Sequence, residues 1–149
     1  MERLRYPDIA PAAVMALRQV EAYVRSCGLE ARLLELVKMR ASQINGCAFC
    51  LDMHARAARR LGESEQRLYL LNAWEETTLF TERERAALVW TEAVTRIADT
   101  HAPDAAYDAA RARFTDKELV DLTVAIGMIN TWNRLAISFR AQPPAAAAP

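Results

Sequence analysis

Hydrophobic residues recur along the chain at intervals of three and four, which places them on one face of an α-helix. No stretch alternates at every second residue as a half-buried strand does, and no internal repeat stands out. Glycines are few, and the prolines stand near the two ends and in one loop, so the middle of the chain can form long helices. The pattern predicts an all-α fold in a single domain of about six to seven helices.

The first two helices are outlined by apolar stripes, each followed by a helix stop. The stripes consist of Val14, Leu17, Val20 and Val24, and of Leu33, Val37, Ala41 and Ile44. Gly28 follows the first stripe and Asn45-Gly46 follows the second, and glycine readily takes the left-handed conformation that ends a helix. A third helix should therefore begin near Cys47, and its pattern continues to Leu61.

Two later helices begin with polar capping residues. Thr81 opens one, and Thr115 opens the last, with Glu118 three residues on to complete a capping box. Their inward positions should be Ala86, Trp90, Ala93 and Ile97, and Leu119, Leu122, Ile126, Ile129, Leu135 and Phe139. Residues 63–74 predict a short helix and turn, and another short helix follows Pro103. The closing AQPPAAAAP predicts a disordered tail over 142–149, which leaves 1–141 as the helical domain.

Composition and charge narrow the class of protein without naming a partner. Hydrophobic residues make up 52% of 149 residues, enough for a core that needs no disulfides. Nineteen basic and nineteen acidic side chains balance, and no block of like charge predicts a nucleic-acid groove or a membrane surface. Neither a signal-type h-region nor an apolar run of membrane-spanning length is visible, so we expect a cytoplasmic protein.

Candidate chemistry is concentrated in residues 45–54, NGCAFCLDMH. The inward face of the third helix should hold Cys47, Cys50, Leu51, His54, Ala57, Ala58 and Leu61. Two cysteines three residues apart on a helix lie about 5 Å apart at Cα, within disulfide range. A helix N-terminus also favours the thiolate. We expect Cys50, one turn before His54, to have the lower thiol pKa and to attack a hydroperoxide, with Cys47 resolving the sulfenic acid.

Two other interpretations of the same residues stay open. Cys47, Cys50 and His54 could bind zinc, with Glu35 or His101 as a fourth ligand, although all three would come from one helix. The cysteines could also be buried only for packing.

The spacing of four residues resembles a known family. The pattern consists of Glu35, then Cys47 after eleven residues, Cys50 after two more and His54 after a further three. It resembles the signature of the AhpD-like alkylhydroperoxidases of the carboxymuconolactone decarboxylase superfamily. The surrounding segments 36–62, 81–95 and 114–139 are also similar to single-domain members, and the resemblance spans about residues 10–140. Some peroxidase members have a histidine immediately before the second cysteine, where this chain has Phe49.

The resemblance implies a function and roles for these residues. Cys50 would form the sulfenic acid, Cys47 would resolve it and donate a proton, and His54 with Glu35 would relay protons. It implies a thiol-dependent peroxidase that reduces organic hydroperoxides without a bound cofactor or metal. It also implies a thioredoxin-like or lipoylated protein as electron donor, and assembly of an AhpD-like helical bundle into dimers, trimers or hexamers. Alternatives are a redox-sensing or structural helical oligomer with little turnover, and a carboxymuconolactone decarboxylase-like enzyme.

The remaining candidate residues have simpler interpretations. On a helical wheel Glu35 lies nearly opposite the apolar stripe of its helix, so a solvated acid paired with Lys38 or Arg32 is the alternative to a catalytic role. Cys27 should be an inert thiol and His101 a solvated loop residue. Trp90, Trp132 and Phe139 should be core or subunit interface, while Trp74 could line the pocket.

Overall fold

The computed structural model describes residues 1–145, and within that range the chain is built from helices without strands. The elements are α1 (Tyr6–Ile9), α2 (Pro11–Ser26), α3 (Ala31–Asn45), α4 (Ala48–Arg60), α5 (Glu65–Leu70), a 3-10 helix (Leu71–Glu76), α6 (Glu82–Thr95), α7 (Ile97–Thr100), α8 (Asp104–Arg111) and α9 (Asp116–Phe139). The all-α prediction is confirmed. The described residues hold more helices than the six to seven expected, because α1 was not predicted and one predicted helix is divided into α6 and α7.

Helix α3 is the centre of the bundle, and α4, α6 and α9 all pack against it. Its residues from Leu33 to Ser42 are buried on every side except at Glu35, which is half-buried. The apolar stripe read from the sequence therefore marks only one of several buried faces of this helix. A charged residue opposite that stripe can still point into the protein.

The predicted helix stops and caps are confirmed. Helix α3 ends at Asn45, and Gly46 follows it in the left-handed conformation, with a φ of 72°. Thr81 and Thr115 each cap a helix through a complete capping box, with Glu84 and Glu118 as the respective reciprocal partners. These features depend on residues within one turn of each other, so local sequence is sufficient to predict them.

Two predicted inward positions are wrong. Ile97 is 53% exposed and Leu61 is 44% exposed. The helix that begins after Thr81 breaks at Arg96, whose φ of −99° and ψ of 36° are not helical, so α7 starts with a new direction. Leu61 follows the last residue of α4 and no longer shares the inward face of that helix.

The tryptophans take different places in the fold. Trp90 is buried in the main core with residues of α3, α6, α8 and α9, while Trp132 and Phe139 are half-buried. Trp74 is also buried, and its indole N–H donates to Glu92 at 2.8 Å, so it does not line the cavity described below.

The end of the chain continues beyond α9 without further helix as far as it is described. Residues 142–145 have no helix, and 146–149 of the predicted disordered tail lie outside the described residues. Among the helices described, none combines the length and the apolar character needed to cross a bilayer.

Candidate active site

The two cysteines lie at the N-terminus of α4, directly after the turn that follows α3. Cys47 is the N-cap residue, and its backbone N–H donates to the carbonyl oxygen of Ser42 at 3.0 Å. Cys50 lies in the first turn of the helix. Both thiols are free and only 1% exposed. The predicted start of the helix is thus correct to one residue, and the two sulfurs are together and shielded from bulk water.

Hydrogen bonding makes the two thiols unequal. The Cys50 thiol donates to the sulfur of Cys47, and the backbone N–H groups of Cys50 and Phe49 also point to that sulfur, so the pKa of Cys47 falls to about 7. The same thiol–thiol bond and burial raise the pKa of Cys50. This is the reverse of the sequence prediction, which gave Cys50 the lower pKa. The main reason is that the Cys50 S–H donates to the Cys47 sulfur, which stabilises a thiolate on Cys47 and disfavours one on Cys50.

Asn133 of α9 is a site residue that the sequence did not reveal. It is fully buried, and its side chain bonds to the cysteine pair, lowering the pKa of both thiols. Its amide also donates to Ser42 Oγ at 3.0 Å and accepts from Asn45 at 2.8 Å. An asparagine within a helical stripe carries no local signal of this role, because its partners lie 88 and 91 residues away in the chain.

His54 and Glu35 form a direct pair. The distance from His54 Nδ1 to Glu35 Oε2 is 2.7 Å, and neither side chain is more than 16% exposed. The solvated alternative for Glu35 is therefore wrong, since Lys38 and Arg32 bond to other carboxylates. With Glu35 as a carboxylate, Nδ1 carries the ring hydrogen and Nε2 is left to exchange protons with a reacting group.

One cavity of about 550 Å³ connects these residues. Its lining includes Cys50, His54 and Glu35, with apolar walls from Phe49, Met53 and Trp132, among other residues. The unpredicted helix α1 contributes Tyr6, whose pKa is raised by burial and by both cysteines. Of the two cysteines, Cys50 lines the cavity, whereas Cys47 is not among its lining residues within 1–145. A small molecule in the cavity would therefore meet Cys50 first.

A buried ion pair lies on the wall of the same cavity. Lys38 Nζ is 2.9 Å from Glu21 Oε2, and their side chains are 5% and 9% exposed. The contact joins α2 to α3. Because an uncompensated charge in such a place is costly, the two side chains hold each other in the wall.

Cys27 and His101 lie apart from the site. The Cys27 thiol is half-buried and donates to the carbonyl oxygen of Val24 at 3.0 Å. His101 is exposed, in a turn with a φ of 53°. Within residues 1–145 no three or more His, Cys, Asp or Glu side chains converge as a metal site requires. The zinc alternative thus lacks a fourth ligand from His101.

An all-helical domain with two thiols at a helix N-terminus and an adjacent His–Glu pair defines the class of protein. Residues 10–93 match the model of the carboxymuconolactone decarboxylase family, and the chain belongs to that family as an AhpD-like member. The resemblance inferred from the sequence is confirmed.

Similar proteins share the fold of this chain, and their descriptions point to a broad class of activity. A structure from Agrobacterium tumefaciens, a protein of unknown function proposed as an antioxidant defence protein AhpD, is 51% identical, with a TM-score of 0.96 over 98% of this chain and 100% of that one. The uncharacterized protein YdfG of Bacillus subtilis is 40% identical over 92% of this chain and 93% of its own length. An uncharacterized peroxidase-related protein from Silicibacter is 26% identical, with a TM-score of 0.77 over 87% of this chain and 69% of that one. These relatives indicate an enzymatic, peroxidase-related role.

Proposed function

We propose that the protein is a thiol-dependent peroxidase that reduces organic hydroperoxides through Cys47 and Cys50. The observation that supports this most is that Cys50 and the His54–Glu35 pair line one cavity, while Cys47, outside the lining, accepts the hydrogen bond of the Cys50 thiol. A hydroperoxide in the cavity then has a sulfur nucleophile and a proton-transferring group beside it.

The first step uses the proton shared by the two thiols. In the resting pair the Cys50 thiol donates to Cys47, whose lowered pKa of about 7 makes it the sulfur that ionises first. When the shared proton moves to Cys47, the Cys50 thiolate is left facing the cavity and attacks the terminal oxygen of the hydroperoxide. The O–O bond breaks, Cys50 becomes a sulfenic acid, and the alkoxide takes a proton from Cys47 and leaves as the alcohol. Cys47 thus acts as the proton donor that the family resemblance implies.

The second step forms the disulfide. Cys47 is left as a thiolate when it gives its proton to the alkoxide, and it can then attack the sulfenic sulfur of Cys50. The hydroxide that leaves takes a proton that Nε2 of His54 relays from solvent, while Glu35 holds the Nδ1–H, and it departs as water. Two electrons have passed from the two sulfurs to the hydroperoxide, giving one alcohol, one water and one disulfide.

Regeneration requires a dithiol donor that returns two electrons and two protons to the disulfide. We assign this role to a thioredoxin-like or lipoylated protein, as in the related peroxidases, and we place the reaction in the cytoplasm. The working form is proposed to be a homo-oligomer. Exposed apolar side chains such as Val120 and Tyr107, which lie together in a second groove, support an interface between subunits.

The test is the oxidation state of each cysteine after one equivalent of cumene hydroperoxide, measured by mass spectrometry. We expect a loss of about 2 Da and a peptide pair joined by Cys47 and Cys50. Cys27→Ser is the matched control and should give the same disulfide. If both thiols stay reduced while the circular dichroism spectrum remains that of the folded helical protein, the peroxidase proposal is wrong.

A further inference from the structure

The cavity beside Cys50 has an excess of positive charge that the whole chain does not have. Its charged lining residues are Arg18, Arg25, Arg60, Lys38, Glu21 and Glu35. Lys38 is neutralised by Glu21, and Glu35 is engaged by His54. The three guanidinium groups therefore outnumber the one lining carboxylate that no cation neutralises, that of Glu35.

These arginines differ from nearly all others in the protein. Seventeen arginines occur in the sequence, and within residues 1–145 the side chains of thirteen bond to a carboxylate, a carbonyl or an amide oxygen. The four without such a partner in the described part are Arg18, Arg25, Arg60 and Arg140. Three of those four line this one cavity. In a protein of balanced charge, three of the four guanidinium groups without a partner in residues 1–145 thus lie around the candidate active site.

The rest of the lining is suited to an apolar body. Phe49, Met53 and Trp132 contribute carbon surface between the sulfur and the charged groups. Cys50 and Arg60 both lie on the wall near the two ends of α4, and ten residues of helix correspond to about 15 Å, the length of an extended chain of about twelve carbons. A molecule that reaches both needs a reactive group at one end and an anion at the other.

We infer that the preferred substrate is a hydroperoxide of an amphipathic carboxylic acid, held by its carboxylate at Arg18, Arg25 and Arg60. The inference rests on the proposed peroxidase function and adds the substrate class. Guanidinium groups bind carboxylates through paired hydrogen bonds, which fixes the end of the molecule remote from Cys50. The apolar wall then directs the hydroperoxide group of the chain toward the sulfur.

Two related hydroperoxides test the inference by activity. Linoleic acid hydroperoxide and its methyl ester have the same apolar chain, but only the acid carries the anion. We expect kcat/KM to be about tenfold higher for the acid, mainly through KM, and to fall toward the ester value as salt is raised. In Arg25→Gln/Arg60→Gln this acid-to-ester ratio should approach one, and Arg25→Lys/Arg60→Lys should restore part of it. Arg140→Gln removes an equally unpaired arginine outside the cavity and should keep the wild-type ratio.

A binding measurement separates this inference from the peroxidase proposal. Decanoate is titrated calorimetrically into Cys50→Ser, which holds the cavity but cannot react. We expect saturable binding that weakens about tenfold in the added Arg25→Gln/Arg60→Gln background and is unchanged with Arg140→Gln. Equal affinities in all three proteins, or an acid-to-ester ratio near one in the wild type, overturn the inference. Decanoate binding without any hydroperoxide turnover overturns the peroxidase proposal and leaves the carboxylate site standing.

Discussion

His54 of α4 and Glu35 of α3 are joined by a contact of 2.7 Å between Nδ1 and Oε2, at the wall of the cavity that Cys50 also lines. The contact fixes which ring nitrogen carries the hydrogen and keeps the imidazole beside the cavity. It also shows that Glu35, which the helical wheel places opposite the apolar stripe, belongs to the candidate active site. Most residues of the helix that carries Glu35 are buried and the Glu35 side chain is 16% exposed, so its carboxylate lies where bulk water is scarce.

Removing the Glu35 charge should impair proton transfer without removing the thiols. Glu35→Gln keeps the size of the side chain but no longer fixes His54 as a hydrogen donor at Nδ1. We expect hydroperoxide consumption to slow by about a hundredfold, the usual scale for general acid–base groups. The measurement is kcat/KM as a function of pH. Glu75→Gln, an exposed acid away from the cavity, is the control, and equal rates for the two variants would argue against the relay.

The ionisation of Cys47 should depend on the thiol that bonds to it. Because its pKa is lowered to about 7, the thiolate forms as the pH rises through about 7 and is protonated below it. Cys50→Ala removes the S–H donor, so the pKa should rise and the midpoint should move to higher pH. Thiolate absorbance in the ultraviolet, followed by pH titration in a Cys27→Ser background, measures both midpoints. An unchanged midpoint in Cys50→Ala would show that the thiol–thiol bond does not set this pKa.

Asn133 should matter to both stability and chemistry. Asn133→Ala leaves Ser42 and Asn45 without their buried partner and opens a small void, at a cost of about 2 kcal/mol in the free energy of unfolding. It also removes a hydrogen bond to sulfur, so the midpoint of the Cys47 titration should rise. Urea unfolding and thiolate absorbance test the two effects separately. Thr131→Ala, on the same helix, should change neither by a comparable amount.

The buried pair of Lys38 and Glu21 should show strong coupling. Lys38→Met leaves the Glu21 carboxylate without its partner at a site where both side chains are less than 10% exposed. We expect this variant to lower the free energy of unfolding by about 3 kcal/mol. The double variant Lys38→Met/Glu21→Leu removes both charges and should recover most of the loss. Denaturant midpoints of the wild type, both single variants and the double variant give the coupling energy. Additive effects would mean that the pair contributes little.

Local features of this chain could be predicted, and those that depend on distant contacts could not. The capping boxes at Thr81 and Thr115 and the stop at Gly46 involve neighbours in sequence, so they were predicted correctly. The position of Glu35 and the role of Asn133 depend on how α3, α4 and α9 pack, which periodicity does not encode. The lower pKa of Cys47 depends on which of the two thiols donates its hydrogen to the other, which a predicted helix boundary does not reveal.

The central claim is that the cavity-facing thiol of Cys50 reacts with the hydroperoxide and that Cys47 resolves the product. The most direct test treats Cys47→Ser and Cys50→Ser with one equivalent of hydroperoxide in the presence of dimedone, which traps sulfenic acids, and locates the adduct by mass spectrometry. We predict an adduct on Cys50 in Cys47→Ser, because no resolving thiol remains, and little or none on Cys47 in Cys50→Ser. An adduct on Cys47 alone would contradict this account.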